Sequence, residues 1–373
     1  MRIVVAPDSF KGTLSARAAA EAIRDGWLSR RPDDELILAP VADGGEGTLD
    51  AFAAAVPAAR RQPLMAVGPT GAPVRADWLL LPPGPDTPGG TGVVELAATS
   101  GLILVDGPLR PFDAHTFGLG QAIASAVTLG VTRLLIAVGG SASTDAGAGA
   151  LTAMGARFTD GRGVPVPLGN SGLGRVERLD LSGVVPLPPG GAVVLTDVDN
   201  PLLGPRGAAA VFGPQKGAST DAAVRALEAN LAHLVQAVPG GAELAERPGA
   251  GAAGGTVFGL TLWGASVAPG AVAVADALRL PELIADADLV VTGEGKYDGQ
   301  SAGGKAPAHV AALAAEAGVP VALAAGAVEA SVERFAAVAS LSELAGSGQA
   351  ALAEPAHWAR EAGAHLAAAG VPA

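Results

Sequence analysis

With 373 residues the chain exceeds what one hydrophobic core usually serves, so two domains of ordinary size are expected. A composition 49% apolar and 16% charged, punctuated by 53 Gly and 29 Pro, excludes a disordered chain and describes a compact protein with many tight loops. A net charge of −12 with no basic stripe argues against nucleic acid or an anionic membrane as partner, and the absence of cysteine excludes disulfides, thiolate metal sites and a cysteine nucleophile.

"RIVVAP" (2–7) is a β-branched run of strand length, and "LSARAAAEAIRDGWLSR" then sets Leu14, Ala18, Ala22, Ile23 and Trp27 on one helical stripe, with Ser15 as N-cap. "LILAPVA" repeats the strand, the acidic glycine loop "DGGEGT" follows, and Leu49, Phe52, Ala53 and Val56 begin a second helix. Continuous apolar strands of this kind predict a parallel sheet covered on both faces. From about residue 57 the texture changes: "PVRADWLLLPPGPDTPGGTGVVELA" predicts antiparallel strands around a Pro/Gly loop at 82–92. "AIASAVTLG" is a helix, "RLLIAVGG" a strand, "SASTDAGAGALTAMGARF" a glycine loop entering a helix, and "AVVLTDVDN" a strand ending in an acidic loop. A helix over 219–237 precedes "VPGGAELAERPGAGAAGG", which reads as a flexible stretch.

The tail returns to the opening texture, with strands at "ADLVVTGEG", "VPVALAAG" and "AAVASL", a helix at "KAPAHVAALAAEAG" and an Ala-rich helix over 350–369. The expected fold class is therefore α/β in two domains. A Rossmann- or flavodoxin-like parallel-sheet domain is built from both chain ends, 1–60 and 281–373, and a mixed α/β domain, 61–280, is inserted between them. "MRIVVAPDSF" has too short an apolar run for a signal peptide and no run reaches the ~20 residues of a spanning helix, so a cytoplasmic address is expected.

In open parallel sheets ligands bind beyond the carboxyl ends of the strands. "PDSFKGT" (7–13), "ADGGEGT" (42–48), "GGSASTDAGAG" (139–149), "TDVDN" (196–200) and "TGEGKYDGQSAGGK" (292–305) are all placed there. Glycine lets backbone N–H groups crowd a phosphate, and the acids call for a cation between carboxylate and phosphate, which Mg²⁺ supplies. Asp43 and Asp145 can each be explained singly as helix caps; the set of loops points to nucleotide-dependent phosphoryl transfer. Of 24 basic residues only Lys11, Lys216, Lys296 and Lys305 are lysines, and all four sit in glycine-containing loops, where compact ammonium charge suits phosphate.

Other chemistries find less support. "GQSAGGKA" (299–306) has the phosphate-loop spacing but carries Ala306 where a magnesium-binding Ser or Thr belongs. "GLGQAI", "GAGALT" and "GEGKYD" each lack the third glycine of a dinucleotide fingerprint, and no G-x-S-x-G elbow occurs. The histidines at 115, 233, 309, 357 and 365 show no metal-ligand spacing; His233 and His309 fall in predicted helices, and His115 is a candidate pocket residue.

Taken together, "APDSFKGTLSA", "PVADGGEGT", "GVVELAATSGL", "VGGSASTDAGAG", "DVDNPLLGPRGAAAVFGPQKGA" and "TGEGKYDGQSAGGKAP" resemble the type 1 glycerate kinases over nearly the whole chain. The resemblance implies phosphorylation of D-glycerate by ATP with Mg²⁺ in a cleft between two α/β domains, 2-phosphoglycerate being the preferred product and 3-phosphoglycerate the other. It implies catalytic roles for Asp197 first and Asp43 second, each directly following an apolar strand, and for Lys11. Substrate or phosphate contacts fall to Asp8, Ser9, Gly44, Gly45, Ser141, Asp145, Asn200, Lys216, Gly295 and Lys305, and metal contacts to Glu294 and Asp298. A homodimer is compatible with it. Two departures stand out: Ser143-Thr144-Asp145-Ala146 replaces the usual Thr-Asn-Asp-Gly, and Lys296-Tyr297 replaces Arg-Ile. Ala146 resists the positive φ that glycine accepts. A kinase of another small sugar acid or polyol, or a non-catalytic regulator binding glycerate or nucleotide, are the alternative readings.

Overall fold

The structure, a computed structural model, describes residues 1–10, 12–299 and 306–370. Strands lie at β1 (Arg2–Pro7), β2 (Glu35–Leu38), β3 (Arg60–Val67), β4 (Pro73–Leu81) and β5 (Thr91–Glu95). They continue with β6 (Arg133–Ala137), β7 (Arg157–Thr159), β8 (Arg178–Asp180), β9 (Ala192–Leu195) and β10 (Ser266–Ala268), and end with β11 (Leu289–Tyr297), β12 (Val321–Val328) and β13 (Ala337–Ser340). The chain divides into two compact units: Met1–Asp43, Asp50–Pro57 and Gly270–Ala373 form the first, Gly44–Leu49 and Ala58–Pro269 the second.

The first unit carries a five-stranded, wholly parallel sheet in the order β13-β12-β11-β1-β2. Numbered by chain order within the sheet this is 2-1-3-4-5, the doubly wound flavodoxin-like arrangement, and winding reverses between β1 and β11, where Ile3 pairs with Leu289. Ile3 and Val5 enter the core with Ile23, Trp27 and Leu366, while Val4 and Ala6 enter the core on the other face with Ile284, Val310 and Leu323. Burial on both faces is why β1 reads as an unbroken apolar run. Helix Ala16–Leu28 starts on Ser15, whose hydroxyl accepts from the Ala18 N–H at 3.2 Å. Helix Gly270–Ala277 falls in this unit, although it precedes the boundary expected at 280, because Ala271 and Ala275 share its core with Leu280 and Ile284 of the next helix, Leu280–Ala285.

The second unit holds a six-stranded sheet, β10-β9-β6-β5-β4-β3, with β3, β4 and β5 antiparallel and β5, β6, β9 and β10 parallel. Its apolar layers join Trp78, Leu119, Ile123, Ile136 and Val194 in one cluster and Leu151, Leu202, Leu231 and Phe258 in another. The stretch expected to be flexible instead forms helix Gly241–Glu246 and then runs through left-handed backbone at Ala253, Gly254 and Gly255 into a further helix that ends at Trp263. The second is apolar all round, with Val257, Phe258 and Leu260 buried, so it carries no periodic signal. The single helix expected over 350–369 is two, Gly348–Ala353 and Pro355–Ala369, because proline opens the second and cannot continue the first. No helix among the described residues is long and apolar enough to cross a membrane.

Candidate active site

In the first unit the chain leaves β1 through Asp8, whose N–H donates to Gly293 O at 2.8 Å and whose buried carboxylate accepts the Ser9 N–H at 2.6 Å. The Phe10 N–H then donates to Leu14 O at 2.8 Å, folding the segment back over the carboxyl ends of the strands. Here a cavity of about 350 Å³ opens. Ser9, Phe10 and Thr13 line it from the segment after β1, Glu294, Gly295 and Lys296 from β11 with Asp298 just past it, and Gly326 and Ala327 from β12. Leu341, Leu352 and Pro355 add an apolar wall. Volume, position and mixed lining are those of a small-molecule site at a strand-order switch point. A larger groove of about 570 Å³ lies at the other end, beside Pro320 and Val321 where β12 begins, and gathers no carboxylate pair.

Two carboxylates expected to meet a metal, Glu294 and Asp298, therefore line one cavity, with Ser9 and Gly295 beside them. Among the described residues no group of three or more His, Asp or Glu side chains converges. Asp43 also belongs to this unit and is half-buried. Lys296 forms an exposed ion pair with Glu329 at 2.9 Å. Lys11, Lys305 and nearly all of "GQSAGGK" lie outside the described residues.

In the second unit the ends of β6 and β9 form another polar centre. Lys216 stands on the turn Pro214–Lys216 and is 2% exposed. Its ammonium donates to Ser141 Oγ at 2.7 Å and to Ser143 O at 2.6 Å. Burial pulls the Lys216 pKa down to about 7, against the opposing pull of Asp145. Asp145 is fully buried: Oδ2 accepts from the Thr116 N–H at 2.8 Å, the Thr116 hydroxyl at 2.9 Å and the Gly149 N–H at 3.1 Å, and Oδ1 from the Gly147 N–H at 3.3 Å. It thus caps the helix after it, as its sequence position allows, and also ties that loop to Thr116. Burial holds the His115 imidazole below its ordinary range, while Asp145 pulls the other way. Ser143 Oγ and Thr144 Oγ1 are fully buried with no hydrogen-bond partner among the described residues.

The glycine pair of "DGGEGT" serves close backbone approach. A Cβ on Gly44 would stand 2.9 Å from Leu195 Cβ, and one on Gly139 would stand 2.5 Å from Gly45 Cα. The N–H groups at the following helix start already have an anion, because Glu95 accepts from Gly47 N at 3.2 Å and from Leu49 N at 3.0 Å. Sequence reasoning missed Glu95; its signal was a carboxylate closing the otherwise apolar strand "GVVE". Asp197 is exposed, two residues past β9, and the Asn200 side-chain amide donates to Arg206 O at 2.7 Å, closing its own loop.

Ala146 takes the conformation that its departure from glycine made costly, with φ 52° at 1% exposure. Ala146→Gly is expected to gain up to about 1 kcal/mol, since left-handed backbone costs an alanine about 1–2 kcal/mol and glycine's added freedom costs about 0.5–1. Thermal unfolding checks this: a Tm more than about 2 °C below the parent would overturn it.

Comparison with known proteins matches residues 3–370 to the model of the glycerate kinase family. The glycerate 2-kinase of Escherichia coli K12 is 41% identical over 326 residues, spanning 86% of this chain and 84% of the relative. The glycerate kinase of Bacillus subtilis 168 is 42% identical over 331 residues, with the same shares of 86% and 84%. A crystal structure of a Salmonella typhimurium LT2 protein, described as glycerate kinase 2, superposes with a TM-score of 0.82 at 36% identity, covering 99% of this chain and 98% of that one. Matched through both compact units and at this level of identity, the chain belongs to the glycerate kinase family.

Proposed function

We propose that this chain transfers the γ-phosphoryl group of ATP to a hydroxyl of D-glycerate in the cytoplasm, forming 2-phosphoglycerate in preference to 3-phosphoglycerate. The observation that carries this reading is the family match over residues 3–370, with relatives named for glycerate phosphorylation.

In this reading residues of the first unit hold the nucleotide. The 350 Å³ cavity offers an apolar wall for a base, and Ser9, Gly295 and the turn after β1 offer polar groups for phosphates. Glu294 and Asp298 fit Mg²⁺, which takes one or two carboxylates and completes its shell with phosphate and water oxygens. Bound there, the ion would neutralise charge on the β- and γ-phosphates. On sequence grounds Lys11 and Lys305 add positive charge to the phosphates. Residues of the second unit hold the acceptor: Asp197, exposed at the end of β9, orients its hydroxyl, and Ser141 and Lys216 stand at the end of the neighbouring strand β6. Transfer passes through a loose transition state, so positioning and charge contribute most of the rate.

Phosphorus NMR of the protein with ATP, Mg²⁺ and D-glycerate tests the reading. The expected outcome is glycerate-dependent ADP with a 2-phosphoglycerate signal; no glycerate-dependent ADP would overturn it. Asp197→Asn is expected to lower kcat at least about tenfold, and an unchanged kcat would remove Asp197 from the site.

A further inference from the structure

We propose that Ser141 and Lys216 form a proton relay that receives the proton of the acceptor hydroxyl during phosphoryl transfer. This deepens the glycerate kinase reading and rests on it.

The relay starts from the two oxygens around Lys216 Nζ. Ser143 O, at 2.6 Å, can only accept, whereas Ser141 Oγ, at 2.7 Å, can accept from an ammonium or donate to a neutral amine. Gly254 comes close on another side: a Cβ there would stand 2.9 Å from Nζ. Lys216 is 2% exposed, and its hydroxyl partner Ser141, in the loop after β6, is 6% exposed. A lysine used as a phosphate clamp needs its ammonium in reach of the phosphate. This one is turned inward onto a hydroxyl.

Ser141 is also where a substrate hydroxyl could be met. Ala137, which ends β6, pairs with Leu195, which ends β9, so the loops carrying Ser141 and Asp197 leave the same end of neighbouring parallel strands. Asp145 is poorly suited to take the proton, because its two oxygens already accept four internal hydrogen bonds. Its charge still faces Lys216, and His115 faces Asp145 in turn. Burial brings the lysine to about 7 despite Asp145, so a neutral amine is available at physiological pH.

The step balances as follows. The acceptor oxygen bonds to the γ-phosphorus as the bond from phosphorus to the β–γ bridging oxygen breaks and ADP leaves. The acceptor proton moves to Ser141 Oγ, and the Ser141 hydroxyl proton moves to Lys216 Nζ, which becomes ammonium. Lys216 returns its proton to solvent after product release.

The test is the pH dependence of the single-turnover rate at saturating glycerate and ATP, in the parent and in Ser141→Ala and Lys216→Met, each checked by its melting curve. The neutral amine grows as pH rises through about 7, so the parent rate is expected to rise through that range and level off. Ser141→Ala is expected to lose that limb and to fall about 100-fold in rate, with the KM for glycerate within about threefold of the parent. Lys216→Met is expected to do the same where it folds. A parent profile flat through neutral pH, a Ser141→Ala rate near the parent's, or a slowed Ser141→Ala that keeps the limb would each overturn the relay while leaving the kinase reading intact. A parent that makes no glycerate-dependent ADP would overturn both.

Discussion

Asp145→Ala is expected to cost at least about 4 kcal/mol of stability, more than any polar substitution at the surface of the second unit. Its fully buried carboxylate receives three backbone N–H groups, of Thr116, Gly147 and Gly149, and the Thr116 hydroxyl. Alanine leaves those donors without a partner and out of reach of water, at about 1–3 kcal/mol each. Thr116 Oγ1 in turn accepts from Ala150 N at 2.9 Å, so the loss spreads into helix Ala148–Ala153. The buried Lys216 also loses the negative charge that faces it. Asp145→Asn should lose less, because one oxygen can still accept while the amide nitrogen opposes donors. Urea unfolding checks both variants: a midpoint for Asp145→Ala equal to the parent's would mean that these hydrogen bonds contribute nothing net.

Gly26→Ala is expected to destabilise the first unit by about 2–4 kcal/mol, although in an exposed helix the same change gains about 1 kcal/mol from helix propensity. The sign reverses because helices Ala16–Leu28 and Pro355–Ala369 touch backbone to backbone. A Cβ on Gly26 would stand 1.8 Å from Arg360 O and 2.9 Å from Ala364 N, and one on Gly363 would stand 2.1 Å from Ile23 O. No side-chain rotation can relieve a clash with a carbonyl, so the helices must separate and loosen the core around Ile23, Trp27 and Leu366. Thermal unfolding followed by calorimetry would register this as a lower Tm, and a raised Tm would show that the seam can open without loss.

Much of the architecture was legible because it depends on local pattern. β1, β12 and the opening Leu289–Val291 of β11 are buried and so are written as plain apolar runs, and Ser15 is written as a cap beside the helix it starts. The helix that ends at Trp263 was hidden by the same burial, which leaves no polar face to mark a period. The candidate site was legible as loops but not as contacts. Glu95 reaches amides 46 and 48 residues away, and Lys216 finds a serine 75 residues away, distances over which residue type predicts charge but not direction. At Ala146 the sequence showed only an alanine where glycine is usual; that the backbone there keeps a positive φ is seen in the structure alone.

The 2-1-3-4-5 strand order also sets a timetable for synthesis. Ala6 of β1 accepts a hydrogen bond from Thr292 of β11, 286 residues downstream. At about 5–20 residues per second the ribosome needs roughly 15–60 s to supply that partner. The main span of the second unit, Ala58–Pro269, is continuous and can fold within that interval, whereas β1, already able to pair with β2 and to pack on Ile23 and Trp27, waits with its other apolar face and the edge that β11 takes uncovered. The cavity that draws on Ser9 at one end of the chain and Pro355 at the other is consequently the last part of the molecule to exist. A nascent chain halted before its final helix therefore carries the groups around Lys216 but no complete pocket in the first unit.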